Sequence, residues 1–453
     1  MPDGDDAAAG RRERGPLPAR RRLEPKPAAQ PRPEPEEAVR PDAMEDLPDS
    51  HPVGRGGLPP GTALLRIYDR DLPSGESCFG YEVHSCCTEV KIFDDRRYGR
   101  PDIAFHDNTA LGGPLPVEIF NQMLNWSKQQ GLLIRWLHFR RSRHPDLKLV
   151  IWDSTPYRIP WEMLWLSPPE GNTGPERGFL GAVVEVTRQF KLNGPFPELM
   201  RTSEIPAPYQ SSGPVAAYID PRMSLDRTLF TDLTLDDEIE SMEDLFASLA
   251  GKPGASGEPR ESGPVALVYV ACHGTFGDRP EECVLDDFPY TSTADYDDDE
   301  LFRLRVEPTL VFLNGCETGL VGVDVRKYND GALRGFAEVF LRAGAAGVLA
   351  TTGAVGTSDA RVLAGKLLSW LKANPGLPVA EGVRQLRAEA LAEYKRNRWW
   401  LRSKLSPSQR YEANVRLLPL LYPFMYVYFG GPWMVANDQL SDAGEPVETG
   451  AHQ

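Results

Sequence analysis

A chain of 453 residues that is 41% hydrophobic and 25% charged can bury one large core or two ordinary ones. Its net charge of −15 and pI near 5.1 argue against a nucleic-acid-binding surface as the main function. Six cysteines, at 78, 86, 87, 272, 283 and 316, have neither zinc-ligand spacing nor a regular disulfide framework, so no metal is expected and a reducing, cytoplasmic setting is.

Residues 1–60 are rich in Pro, Arg, Glu and Ala and lack apolar periodicity. Such a tail cannot bury enough surface to offset its ordering entropy, and disorder is expected. No apolar h-region follows its basic stretch, so it reads as neither a secretion signal nor a membrane anchor. Residues 61–150 read as an N-terminal α+β extension. Ala63 to Tyr68 and Thr88 to Phe93 have strand character, with a loop around Pro73 to Glu76 between them. Pro116 to Gly131 has helical spacing through Ile119, Phe120, Met123, Leu124 and Trp126. Trp136 to His138 and Leu147 to Trp152 return to strand character, and His84, His106, His138 and His144 are scattered without ligand spacing.

A loop rich in Pro and Ser, from Phe190 to Pro214, reads as a connector, with a cleavable regulatory linker as the alternative. Val215 to Asp220 is then a strand and Leu235 to Leu249 an amphipathic helix. A linker, Gly251 to Gly263, leads to two apolar runs, Val265 to Ala271 and Leu310 to Leu313. Such runs, bounded by turn residues, are the signature of strands buried on both faces of a parallel sheet. The acidic stretches Asp232 to Asp244 and Asp286 to Glu300 read as solvated faces that can also steer a basic partner. Helices are expected at Ala332 to Arg342, Ala360 to Leu371 and Val379 to Lys395. Leu417 to Ala436 is interrupted by Pro419, Pro423 and Gly430 to Pro432, so it reads as a buried strand plus loop, not a membrane span. Residues 437–453 are polar and expected to fray.

Each of the two apolar runs ends in a group capable of chemistry. The first leads into Cys272, His273 and Gly274, the second through Asn314 and Gly315 into Cys316, Glu317, Thr318 and Gly319. Ligands bind beyond the carboxyl ends of parallel strands. If the two strands are neighbours, His273 and Cys316 meet there. A thiol at its ordinary pKa is mostly protonated at neutral pH, and His273 can take its proton and later protonate a leaving amine. Gly274 lets a substrate carbonyl approach its N–H, which with the Cys316 N–H forms an oxyanion hole. A lone Cys or His at a strand end is ordinarily structural; the joint pattern carries this reading. Cys272 is the alternative thiol, but strand alternation turns it to the other face. No acid is evident to orient His273, which fits a dyad.

This pattern, a strand with His-Gly and then a strand with Cys-x-Thr-Gly, resembles the CHAT-domain cysteine peptidases, relatives of the caspases and separase, over roughly Trp152 to Met434. Pro160, Trp161, Glu162, Met163 and Leu164 resemble the family's Pro-hydrophobic-Glu-Leu-Leu signature. Val183 to Arg188 resembles the strand and arginine after it, and Val284 to Asp287 the exposed hairpin. Ala332 to Ala345 resembles the helix ending in Ala-Gly-Ala, Gly347 to Thr351 the following strand, and Met425 to Gly430 the last strand.

The resemblance implies an α/β, caspase-like, mainly parallel sheet flanked by helices over 151–436. Cys316 is then the nucleophile, His273 the base and Gly274 with Cys316 the oxyanion donors, and such a dyad needs no cofactor. The family's Trp-Pro-Val-x-Asp loop is replaced by Thr352 to Asp359, so its substrate preference does not carry over. Asp359 can favour a basic P1 side chain, although N-capping of the next helix by Ser358 or Asp359 is the favoured reading. Asp324, in the loop after the nucleophile, and Glu317, beside it, are further substrate-binding candidates. The implied activity is a cysteine endopeptidase acting on a protein substrate, such as one encoded nearby, and regulated by a protein partner in a bacterial defence or cell-death system. The alternative is a catalytically silent caspase-like scaffold that binds partner proteins.

Overall fold

The computed structural model describes residues 58–69, 78–86, 88–101, 103, 116–167, 175–189, 209–210, 213–233, 235, 239–252, 263–277, 279–296, 300–323, 333–397 and 405–436, leaving aside the side chains of 88–97, 209–210, 294–295 and 323. The expectations for 1–57, 437–453, His106, Asp324 and most of the connectors 190–214 and 251–263 lie outside the described residues.

The apolar runs form the middle of a ten-stranded sheet. Its strands are β1 (Thr62–Asp69), β2 (Cys78–Ser85), β3 (Thr88–Gly99), β4 (Lys148–Asp153), β5 (Glu185–Gln189), β6 (Val215–Ile219), β7 (Leu267–Ala271), β8 (Leu310–Leu313), β9 (Gly347–Thr351) and β10 (Tyr426–Gly430). Their spatial order is β3-β2-β1-β4-β5-β10-β9-β8-β7-β6. Strands β6 to β9 run parallel to one another, as do β1, β4, β5 and β10, and the two blocks meet where β10 lies antiparallel to β9. Two antiparallel pairings, β1 with β2 and β2 with β3, complete one edge. The expected α/β fold with a mainly parallel sheet is therefore present.

Helices α1 (Pro116–Ser127), α2 (Gly131–Arg143), α3 (Met242–Leu249), α4 (Phe336–Arg342), α5 (Thr357–Ala373), α6 (Val379–Arg396) and α7 (Pro407–Met425) flank it. The side-chain alternation of β7 divides the core in two. Leu267, Tyr269 and Ala271 join a cluster with α1, α2, α5, α6 and α7; Val268, Val270 and Cys272 join one with α3 and α4. Each fully buried Leu, Val or Phe there stabilises the fold by about 1.5–3 kcal/mol in transfer free energy.

Four local readings are corrected by tertiary context. Trp136 to His138 belongs to α2 and not to a strand. That helix buries Leu133, Ile134, Trp136, Leu137, His138, Arg140 and Arg141, which blurs the apolar stripe that marks a helix. Cys78 to Ser85 forms β2, which the sequence reading passed over. Leu417 to Met425 is the end of α7 with Pro419 and Pro423 inside it, and only Tyr426 to Gly430 is strand. A proline removes a helical hydrogen bond. Here the buried Arg387 guanidinium donates to Pro423 O at 3.2 Å and to Tyr426 O. Finally, α5 starts at Thr357 with Gly356 as its N-cap. Ser358 and Asp359 thus sit in the first turn, past the N-cap.

Glu162, within the Pro160 to Leu164 signature, is buried. It accepts from Arg188 Nε at 2.9 Å and from its Nη2 at 2.5 Å, while Arg188 Nη2 also donates to Ile159 O at 2.9 Å. Burial alone pushes the carboxyl up, but the charges of Arg188 and Arg387 outweigh it and hold it below its ordinary range. Burial lowers Arg387 to about 10, with Glu162 opposing the shift. Removing one partner of such a cluster leaves uncompensated buried charge, so Glu162→Gln is expected to destabilise the fold by about 3–5 kcal/mol. Urea unfolding of the variant beside wild type measures this; a loss below about 1 kcal/mol contradicts it.

Candidate active site

Strands β7 and β8 pair with Val270 opposite Leu313, and Asn314 N–H donates to Val270 O at 2.7 Å. His273 and Cys316 each lie three residues beyond that pair, at the same carboxyl edge. His273 is exposed and Cys316 half-buried. Contact between the two chain segments depends on their glycines. A Cβ on Gly274 would stand 2.4 Å from Cys316 O, and one on Gly315 would stand 2.8 Å from Cys272 O. Nothing larger than hydrogen fits at either position without a backbone shift.

The histidine segment is anchored from two sides. Gly274 and Thr275 pair antiparallel with Val284 and Leu285, which turn through Asp286 and Asp287 to pair with Phe288 and Pro289. Asp286, left-handed at φ +53°, donates its N–H to His273 O at 2.7 Å. Its carboxylate accepts from Tyr218 Oη at 2.6 Å and from Arg222 Nη2 at 2.5 Å, and Arg222 also clasps Asp220. Asp220, buried just past β6, donates its N–H to Ala271 O at 2.8 Å. Hydrogen bonds from Arg222 chiefly hold its carboxyl below the ordinary range, and the charge of His273 acts in the same direction. No residue adjacent in sequence marks an acid beside His273. The register of β6 against β7, Ile219 opposite Ala271, is what brings Asp220 there.

The cysteine segment is a tight turn from Asn314 to Gly319. Thr318 Oγ1 donates to Leu313 O at 3.0 Å and Gly315 O at 3.2 Å and accepts from Thr351 N–H at 3.1 Å, while Thr351 Oγ1 reaches Gly315 O. Gly319 N–H donates to Thr351 O at 2.7 Å. The threonine of Cys-x-Thr-Gly therefore ties this turn to the end of β9. Glu317 takes a left-handed φ of +62°, and its Oε2 accepts from Phe276 N–H at 3.2 Å, so it braces the cysteine turn against the histidine segment. Cys316 Sγ lies 3.7 Å from Val355 O. Burial pushes its thiol up, and the charge of Glu317 adds to this, so the resting sulfur carries its proton.

Asp359 is half-buried, its Oδ2 3.1 Å from where a Gly356 Cβ would stand, and burial raises its carboxyl. Tyr422 Oη stands 3.6 Å from the same Gly356 position, and Gly356 follows Val355, whose carbonyl meets the Cys316 sulfur at 3.7 Å, so the acid and the sulfur flank one short loop. Cys272 is buried in the α3–α4 cluster, and burial raises its thiol far above the ordinary range. Opposite the cysteine turn, a cleft of about 490 Å³ including its open mouth separates Arg158 to Pro160 from Gly319 to Val321. The Arg158 guanidinium stands 4.9 Å from the Phe276 ring centroid, a cation–π contact between the signature segment and the histidine segment. Among the described residues no three His, Cys, Asp or Glu groups are placed to hold a metal ion, and no helix is long and apolar enough to cross a membrane.

Comparison with known proteins gives three findings. No curated protein matches the chain. Among solved structures, two chains of the Saccharomyces cerevisiae separase–securin complex match at 14% and 13% identity with TM-scores of 0.34 and 0.33. Both alignments cover 64% of this chain but only 16% and 15% of the other, so the chain corresponds to less than a fifth of those proteins. The CHAT domain family model matches residues 149–414, more than half the chain and the span that carries the signature, both site segments and the helices behind them, and the chain belongs to the CHAT domain family.

Proposed function

We propose that this chain is a cysteine endopeptidase in which Cys316 is the nucleophile and His273 its base. Family membership supports the general class, since CHAT domains are in general cysteine peptidases. The observation that carries the residue assignment is the packing of Gly274 against Cys316 O, which puts the His273 segment on the Cys316 turn. In the proposed reaction the Cys316 proton passes to His273 as sulfur attacks the substrate carbonyl. The N–H groups of Gly274 and Cys316 take the oxyanion, and His273 gives its proton to the departing amine. Water, deprotonated by His273, then attacks the thioester and regenerates the thiol. The raised thiol makes His273 necessary, because the unassisted sulfur is not ionised at neutral pH.

Asp359, within electrostatic range of the sulfur, supports a preference for a basic side chain at P1. Glu317 is better read as a brace than as a substrate contact, since its carboxylate is already engaged by Phe276 N–H. The finer context, a cytoplasmic bacterial defence or cell-death enzyme with a regulatory partner and a substrate encoded nearby, rests on the family resemblance. The test is incubation of the freshly reduced full chain with a diverse peptide library, read by mass spectrometry, alongside a peptidyl acyloxymethyl ketone probe. Cleavage concentrated after Arg or Lys, with the probe on Cys316, is expected. No cleavage together with no labelling of Cys316 would overturn the assignment in favour of the silent scaffold.

A further inference from the structure

Beneath the cysteine turn lies a buried polar group that the reaction above does not use. Asn314, two residues before Cys316, is buried with Tyr269, Tyr426 and Asp226. Its Oδ1 accepts from Tyr426 Oη at 2.6 Å. Its Nδ2 donates to Tyr269 Oη at 2.8 Å and to Asp226 Oδ2 at 3.3 Å, and Tyr269 Oη itself donates to Asp226 Oδ2 at 2.7 Å. The side-chain oxygen and both amide hydrogens are thus all engaged, and the main-chain N–H is held by Val270 O.

The four residues come from separate elements. Tyr269 is on β7, Asn314 follows β8, Tyr426 begins β10, and Asp226 lies in the 3-10 segment Pro221–Phe230 that follows Asp220. Since β9 lies between β8 and β10, the Tyr426 hydroxyl reaches past a whole strand to find Asn314. A core this apolar has no packing need for such a group. Burying four polar side chains is tolerated only because they satisfy one another, and such a group specifies one arrangement where apolar packing allows several.

We propose that Asn314, held by Tyr426, Tyr269 and Asp226, is the positioning residue for Cys316. The Thr318 and Thr351 hydroxyls fix the turn from the β9 side through Gly315 O. Asn314 fixes it from below. With both in place, the turn holds the Cys316 sulfur in one position, beside Val355 O at 3.7 Å. Without Asn314 the turn keeps its hydrogen bonds to β9 but rotates about them, and the sulfur loses its alignment with the base. This assignment rests on the thiol peptidase reading, but its physical content, the orientation and environment of the Cys316 sulfur, is measurable without any peptide substrate.

The experiment uses the full chain as wild type, Tyr426→Phe, Asn314→Ala, Asp226→Asn and Asp226→Ala. Three quantities are read: the rate of iodoacetamide alkylation of Cys316 by peptide mapping from pH 6 to 9, kcat and KM on a cleaved library peptide, and Tm. Tyr426→Phe removes a single hydroxyl and is expected to lower kcat by about 10- to 100-fold with KM nearly unchanged, the scale of small misalignments in active sites. Its alkylation profile is expected to be displaced along the pH axis while Tm falls by only a few degrees. Asp226→Asn keeps an accepting oxygen and is expected to restore most of the rate lost in Asp226→Ala. An alkylation profile and kcat unchanged in Tyr426→Phe would overturn the proposal. So would losses in all variants that simply follow Tm, with no rescue by Asp226→Asn. If wild type neither cleaves a peptide nor takes the ketone probe on Cys316, the peptidase reading fails, yet the alkylation profiles still decide this one.

Discussion

Cys316→Ala and His273→Ala are each expected to lower kcat/KM for a cleaved peptide by about 10⁴-fold or more, and the double variant to be no worse than either alone. Groups that act as one chemical unit are strongly non-additive, because either loss disables the same proton and sulfur transfer. The sensitivity is large here because burial raises the Cys316 thiol, so the proposed reaction depends on His273 to take its proton. Cys272→Ala is the control, since that thiol belongs to the α3–α4 core. It is expected to leave kcat within about twofold while costing some stability through lost packing. Steady-state kinetics on one library peptide, with Tm for all four variants, reads the result. If Cys316→Ala keeps a tenth of the activity, or Cys272→Ala abolishes it, then the nucleophile has been assigned to the wrong strand end.

Gly274→Ala is expected to have the next largest effect, a fall in kcat of about 10²- to 10³-fold, the scale on which one oxyanion donor acts. The added methyl would stand 2.4 Å from Cys316 O and 3.2 Å from Leu285 Cδ2. The leucine can turn away, but the carbonyl cannot move without dragging the cysteine turn, so the histidine segment must withdraw. That carries the Gly274 N–H and the imidazole away from the sulfur together. Overpacking of this kind costs about 1–3 kcal/mol of stability, small enough for a folded variant to be assayed. A circular dichroism melt and the split between kcat and KM separate the outcomes. A folded Gly274→Ala chain with wild-type kcat would show that this glycine serves packing alone and that the oxyanion is held elsewhere.

Much of this molecule was legible as sequence because some signals are local. Val265 to Ala271 and Leu310 to Leu313 declare themselves as doubly buried strands by unbroken apolarity, and their His-Gly and Cys-x-Thr-Gly endings lie together at one edge of the sheet. The α/β class and α6 followed from the same kinds of pattern, the hairpin around Val284 to Asp287 followed from the family resemblance, and the match to the CHAT domain family agrees with that resemblance.

What escaped was whatever depends on partners distant in the chain. A helix continuing through Pro419 and Pro423 contradicts local propensity, and Arg387, more than thirty residues away, donates to the carbonyls near its end. Helix α2 buries Arg140 and Arg141 among its apolar residues, so its apolar stripe was no guide. Asp220 gains meaning beside His273 only through the register of β6 on β7, and Asn314 beneath Cys316 only because Tyr426 reaches past β9. Residue types and short spacings thus determined the strands, the motifs and the chemistry available to them. Hydrogen bonds between residues 43 to 112 positions apart decided which groups lie beneath the cysteine turn, because strand order and register exist only once the sheet has assembled.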